Sequence, residues 1–377
     1  MAADREKARK LIMGEVILKD GSIVLTEPIV PSDDPSSIRA QYGFDRDYKC
    51  LKSNSILLIS DIHFSDNPHK FNFVDCQPIN PPGSGVRLNK AILDSIKTTN
   101  IGTVICAGDI TQTSQESEFA KADVFFRELS DDYEIDKRDM IIVPGNHDIE
   151  LCSHHSDTKS PITYITPEAS KNYSVFYEKI YGKKGTPFFA VGKKFLLRNH
   201  LPVEILGLNS NCLQQVKDSF MGMGFVGEKQ LRDVAEAMGW ENNQSDYAYR
   251  ILVLHHHLFQ VEYIEVPEDG RQYSLCLDAG QIYQFIDHFH INLVIHGHKH
   301  KNNFVKIEKL NKNKHDVTII GLGSASSSEL GKSDQNTVGI IDFNDKDHAR
   351  YRSFSVNSEQ AFSNVSDCAF DTSFPLF

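Results

Sequence analysis

The chain has 377 residues, 40% hydrophobic and 24% charged, with a formal net charge of −11. This suits one large globular domain or two modest ones, and the acidity counts against non-specific hold on nucleic acid or an acidic membrane. Seven scattered cysteines form no CxxC pair, the charged start Met-Ala-Ala-Asp-Arg-Glu-Lys lacks a secretory apolar core, and no apolar run has bilayer length, so the expectation is a soluble cytoplasmic protein with reduced thiols.

Residues 1–50 read as an N-terminal extension. Two short β-rich runs between Gly14 and Leu25 flank Asp20-Gly21, a strong hairpin signal. The stretch Pro31-Ser-Asp-Asp-Pro-Ser-Ser after them reads as a loop. The main pattern starts with Ser55-Ile-Leu-Leu-Ile-Ser, a strand that ends in Asp61-Ile-His63. Residues 77–85, with three prolines and two glycines, form a loop. Leu88, Ala91, Ile92 and Ile96 mark one face of a helix. Thr103-Val-Ile-Cys-Ala-Gly-Asp109 is the next strand, and Phe119, Ala122, Phe126 and Leu129 mark a second helix. Ile141-Ile-Val-Pro-Gly-Asn-His-Asp148 is a third buried strand, broken by Pro144-Gly145 before a polar cluster. Strand, helix, strand, helix, strand predicts right-handed crossovers and a largely parallel sheet.

Residues 150–200 lack clean periodicity and are expected to form a partly helical insertion over the strand ends. A strand returns from Glu204 to Ser210, and Leu231, Val234, Ala235 and Met238 mark a helix. Arg250-Ile-Leu-Val-Leu is a strand ending in His255-His-His257. Ile282, Phe285, Ile286 and Phe289 mark another helix. Asn292-Leu-Val-Ile ends in His296-Gly-His-Lys-His300. Beyond it the runs at 304–310, 317–322 and 337–343 read as a meander, and the tail from about 359 as loosely packed. The domain reading is therefore an extension over 1–50, a catalytic domain over 51–358 with lid insertions at about 150–200 and 210–280, and a tail over 359–377.

Five strands thus end in oxygen or nitrogen donors: Asp61 and His63; Asp109; Asn146 and His147; His255; His298 and His300. Imidazole with carboxylate suits Zn, Mn, Fe, Co or Ni, and the lack of thiolate disfavours a structural zinc or Fe–S site. About seven donors exceed one tetrahedral ion and suit two divalent ions flanking a bridging carboxylate, the arrangement that clamps both oxygens of a phosphoryl displacement. In the two i, i+2 pairs, Asp61-x-His63 and His298-x-His300, both side chains of a strand would face one way. Gly108 and Gly297 remove Cβ bulk where backbone approaches the metals.

Taken in order, Asp-x-His, Gly-Asp, Gly-Asn-His-Asp, a strand-end His and Gly-His-x-His resemble the calcineurin-like metallophosphoesterase superfamily over about residues 53–345. The resemblance implies an α/β fold, a four-layer αββα sandwich of two mixed sheets flanked by helices. It implies that Asp61, His63 and His300 hold one ion, that Asn146, His255 and His298 hold the other, and that Asp109 bridges. The two ions would be Mn, Fe, Zn or Ni. It makes His147 a phosphate contact and leaving-group acid rather than a ligand, with Asn146 assisting catalysis. The family places Pro where His257 stands, and His255 is chosen because it follows the strand directly. Leu208-Asn-Ser210 and Gly224–Leu231 are similar to segments of class III cyclic-nucleotide phosphodiesterases.

His154, His155, His256 and His257 are candidate substrate contacts, against a plainer reading as exposed-loop and supporting residues. Asp148 reads as a capping or orienting group. The six lysines between Lys299 and Lys314 read as a solvated surface. The expected function is hydrolysis of a phosphodiester of nucleotide type. A nuclease, a phosphomonoesterase and a non-catalytic scaffold are the competing readings, and the oligomeric state is left open.

Overall fold

The computed structural model describes residues 15–17, 23–25, 35–66, 88–96, 99–151, 165–213, 222–240, 248–260, 275–308, 316–327, 335–343, 348–356 and 362–371. Asp20-Gly21, the proline-rich loop at 77–85, His154, His155 and the last six residues lie outside them.

Two mixed sheets stack face to face with helices outside, as the family resemblance implied. The first sheet is built on Ser55–Ile59 (β4), Ile101–Cys106 (β5) and Ile141–Ile142 (β6), three parallel neighbours. Thr337–Asp342 (β13) pairs antiparallel with β4, followed outward by His348–Val356 (β14) and Phe362–Asp371 (β15). The second sheet has a parallel centre of Pro202–Gly207 (β8), Tyr249–Val253 (β9), Leu293–His296 (β10) and Val317–Gly321 (β12). Asn303–Ile307 (β11) closes one edge antiparallel to β12. Val191–Leu196 (β7) runs antiparallel to β8, and Lys49–Cys50 (β3) closes the other edge. A separate pair, Glu15–Ile17 (β1) and Ile23–Leu25 (β2), brackets the Asp20-Gly21 position in antiparallel register.

Alternation along each strand builds three apolar layers. In β4, Ile56 and Leu58 face the space between the sheets, while Leu57 and Ile59 face the outer helices. Those helices are Leu88–Ile96 (α2), Glu116–Tyr133 (α3) and Lys171–Tyr181 (α4). Phe119, Phe125, Phe126, Tyr173 and Phe176 fill this layer. Pro35–Tyr42 (α1), Glu228–Met238 (α5) and Ala279–His288 (α6) cover the other sheet through residues such as Tyr42, Leu231, Val234 and Ile286. Among the described residues, no helix is long and apolar enough to cross a membrane.

Four readings of the sequence are corrected. Pro35-Ser-Ser opens α1 rather than extending a loop, because proline's fixed φ and missing N–H suit the first helical position. The expected meander is split: β11 and β12 join one sheet, while β13 joins the other. The expected loose tail contributes the ten-residue strand β15, paired along β14. The region 150–200 holds β7 as well as α4; Lys193 and Lys194 disguise that strand, yet both pair with carboxylates, Asp45 and Glu204, at 3.2 Å.

Candidate metal centre

All seven expected ligands gather at one end of the stacked sheets. Asp61, His63, Asp109 and Asn146 come from loops after β4, β5 and β6; His255, His298 and His300 follow β9 and β10. Asp61, His63 and His300 offer donor atoms within 4.8 Å of one another, and so do Asp109, His255 and His298. His63 Nε2 lies 3.0 Å from His300 Nε2, and His255 Nε2 lies 3.2 Å from His298 Nδ1 and 3.1 Å from Asn146 Oδ1. Asp109 Oδ2 stands between the two groups, 3.7 Å from His63 Nε2 and 3.2 Å from His255 Nε2.

The backbone reaches this arrangement through left-handed turns, not through strand alternation. Asp61, His63, Asp109, His298 and His300 have φ of 51°, 55°, 50°, 81° and 56°. Outside glycine this region is sparsely used, and each such residue costs on the order of 1–3 kcal/mol. Asp and His tolerate it better than β-branched residues do. The i, i+2 pairs therefore converge because each member sits in a left-handed bend. Gly108 and Gly297 also serve a different neighbour than expected. A Cβ on Gly108 would meet His255 Nδ1 and the Gly145 backbone, and one on Gly297 would run into Ser60 Oγ and Asp61 Oδ2. Their small size lets loops of opposite sheets touch.

Polar contacts fix the ligands. His255 Nδ1–H donates to the Ala107 carbonyl at 2.7 Å, which aims Nε2 at Asp109. The His298 N–H donates to Asp61, and the His147 N–H donates to Asp109 Oδ1 at 2.9 Å. Ser60 Oγ donates to Asp61 Oδ2 at 2.5 Å, and Ser324 Oγ to the Asp61 carbonyl at 2.7 Å. Asp148 accepts from the amides of Gly145, Ile110 and Thr111 and from the Thr111 hydroxyl, tying two ligand loops together. The orienting role expected of Asp148 matches these bonds.

Electrostatics follow from burial and proximity. Burial opposes ionisation of Asp109, but His255, His147 and His63 outweigh it and hold the carboxyl well below its usual range. Burial likewise opposes charge on His255, but Asp109 raises its pKa to about 9. Burial drives His63 down to about 3. Burial and the charge of Asp109 raise the Asp148 carboxyl to about 6. Ionised carboxylates facing opposed ring nitrogens make a pocket that favours added positive charge.

His147 lies in a third group with His63 and Asp109. Its Nδ1–H donates to the Gln112 carbonyl at 2.8 Å, which leaves Nε2 as the second ring nitrogen. Asn146, His147, His298 and His300 are half-buried, so access is from their side. His256 and His257 are 0% and 1% exposed; their rings lie against Ser210 and His296. A cleft of about 630 Å³ lined by Lys49, Lys52, Glu134 and Asp136 shares no residue with the ligand groups. The hydrogen bonds by which Ser60, Ser210, Asn211, Gln230 and Ser324 support these loops were not legible in the sequence, since polar residues beside apolar runs carry no periodic signal.

The family profile described as calcineurin-like phosphoesterase matches residues 55–302. The chain belongs to the calcineurin-like phosphoesterase family. No curated protein matches it. Among solved structures it is similar to purple acid phosphatase PPD1 from yellow lupin (Lupinus luteus) seeds, at 9% identity and TM-score 0.54 over 95% of this chain. It spans 58% of that phosphatase, so the likeness concerns the fold alone. GAP50, the anchor in the inner membrane complex of Plasmodium, aligns at 12% identity and TM-score 0.45, over 84% of this chain and 88% of its own. The NAD nucleotidase NadN of Haemophilus influenzae aligns at 12% identity and TM-score 0.38, over 84% and 55%.

Calcineurin-like phosphoesterases are metal-dependent enzymes built around two divalent ions, and this chain's donors fit that requirement. Two pairs of imidazole nitrogens facing each other at 3.0 and 3.2 Å, with carboxylate oxygens alongside, form an unshielded donor set that cations would satisfy.

Proposed function

We propose that the chain hydrolyses a phosphodiester of a small nucleotide-type molecule, such as a cyclic nucleotide, at this site. The observation that carries the reading is Asp109 Oδ2 standing between His63 and His255, with a separate donor group on each side. Asp61, His63 and His300 would hold one ion; Asn146, His255 and His298 would hold the other; Asp109 would bridge. When bound, the ion pair supplies Lewis acidity at the phosphoryl oxygens and lowers the pKa of an attacking water. The Asn146 amide helps neutralise charge growing on those oxygens. As the water oxygen bonds to phosphorus, its proton passes to solvent and the ester P–O bond breaks, while His147 gives its Nε2 proton to the departing alkoxide. The Gln112 carbonyl holds the ring in place for this transfer.

Two features support a small nucleotide-type substrate. Leu208-Asn-Ser210 and Gly224–Leu231 resemble class III cyclic-nucleotide phosphodiesterases, and the net charge of −11 disfavours a long polyanion. The test is turnover of bis-p-nitrophenyl phosphate, p-nitrophenyl phosphate, cyclic mononucleotides, cyclic dinucleotides and oligonucleotides by manganese-supplemented protein. Cleavage of a cyclic nucleotide is expected. Preference for oligonucleotides or for the monoester would replace the substrate assignment. Failure to bind any ion would end the dinuclear reading.

A further inference from the structure

Asn209, Ser210 and Asn211 follow β8, are at most 1% exposed, and belong to neither ligand group. Ser210 Oγ lies 3.3 Å from the His255 amide, 3.2 Å from the His256 amide and 2.8 Å from His256 Nδ1. A hydroxyl has one hydrogen and two acceptor lone pairs. The two amides take the acceptor sites, so the hydroxyl hydrogen goes to His256 Nδ1. One side chain thereby fixes the backbone that carries His255, together with the ring beside it. The His256 ring in turn packs 4.6 Å from His298 and 5.1 Å from His255.

The next residue grips the opposite loop. Asn211 Nδ2 donates at 2.8 Å to the carbonyl of Pro144, two residues before Asn146. Its own amide donates to Asn209 Oδ1 at 2.7 Å, which stiffens the turn. Helix α5 anchors the segment: Gln230 Oε1 accepts from the Asn209 amide, and Gln230 Nε2 donates to the Asn209 carbonyl, each at 2.9 Å. The loops that carry Asn146 and His255 are braced directly from this one segment, and His298 is reached through the His256 ring. Asp61 makes no bond to this segment; Ser60, Ser324 and the His298 amide hold it.

We infer that Asn209–Asn211 is the positioning element for one ion of the pair, the one assigned to Asn146, His255 and His298, and leaves the other ion's affinity unchanged. The inference rests on the ligand assignment proposed above. It gives a physical role to Leu208-Asn-Ser210 and to Gln230, which the reaction itself does not use. Metal sites tolerate only a few tenths of an ångström in donor placement, and loss of a supporting bond typically weakens binding ten- to a hundredfold.

The test is manganese titration of the metal-stripped protein, by calorimetry and electron paramagnetic resonance. Wild type is expected to show two sites. Ser210→Ala should keep one site unchanged and weaken the other ten- to a hundredfold, with turnover recovering at high manganese. Ser210→Thr, which keeps the hydroxyl, should restore the affinity. Asn211→Asp, nearly isosteric but unable to donate to Pro144, should give the same selective loss, and it carries the test if Ser210→Ala does not fold. Equal weakening of both sites, or no weakening in a folded variant, overturns the inference. A wild type that binds fewer than two ions overturns the ligand assignment instead.

Discussion

At the scale of single residues, His147 separates metal binding from proton transfer. Its ring is pinned through Nδ1 by the Gln112 carbonyl, and its main-chain amide serves Asp109. Replacing the ring leaves that amide in place. His147→Ala should therefore keep its full metal content and lose turnover by about a hundred- to ten-thousandfold, the usual contribution of a positioned general acid. Metal analysis beside kcat checks it, and intact turnover would remove His147 from the mechanism. The loss should be smallest for substrates with good leaving groups, because their alkoxides need little protonation.

At the scale of elements, a second charge cluster ties β8, β9 and β7 to the α5 end of the molecule. Glu204 on β8 accepts from Trp240 Nε1 at 2.6 Å, Arg250 Nε at 3.2 Å and the Tyr48 hydroxyl at 2.9 Å, and pairs with Lys194 at 3.2 Å. Arg250 also stacks over the Trp240 ring. Burial opposes the charge of Glu204, but Lys194, Arg250 and the two hydrogen bonds outweigh it and hold its pKa below the usual value. A carboxyl depressed on folding stabilises above its unfolded pKa, about 4.3, and loses that contribution as pH falls through the folded value. Glu204→Ala should cost about 3–5 kcal/mol at pH 7, because it leaves buried cations unpaired. Urea unfolding of both proteins at pH 7 and at pH 4 checks this, and the wild type's advantage should narrow at the lower pH. An advantage that grows on acidification would contradict it.

The same elements show what the sequence made legible. Strands β4, β5, β9 and β10 are apolar, β-branched runs that stop abruptly at Asp, His or Gly-Asp, so both strand and site announce themselves. Strand β7 does not, because Lys193 and Lys194 occupy its centre and the carboxylates that pair with them, Asp45 and Glu204, lie outside the strand. Sheet membership was hidden as well. Strands β12 and β13 look alike as short apolar runs, and only the three-dimensional pairing sends them to different sheets. The donor cluster was readable from residue types, but the left-handed bends that aim it were not, since Asp and His also populate ordinary loops.

At the scale of the whole molecule, the proposed ion pair would fasten two independently built sheets. One sheet's loops supply Asp61, His63, Asp109 and Asn146; the other's supply His255, His298 and His300. Each three-residue ligand set draws on both. The sheets already share a dry layer that includes Ile56, Leu58, Ile205, Val253, Ile295 and Ile341, all 0% exposed. Each such side chain is worth about 1.5–3 kcal/mol of burial, so the stripped protein should stay folded and unfold cooperatively. Binding to the folded state alone adds about 2.7 kcal/mol per ion at a hundredfold excess over Kd. Two ions then raise the melting temperature by roughly 6–7 °C, given an unfolding entropy of about 2.1 cal/mol/K for each of 377 residues. Calorimetry of manganese-loaded and chelator-treated protein measures the shift directly. Asp109→Asn, which weakens the shared ligand, should abolish most of the difference between the variant's loaded and stripped forms, while loss of its pairing with His255 also lowers the stripped form's melting point. A shift that survives this substitution would mean that the stabilising ions bind somewhere other than between the sheets.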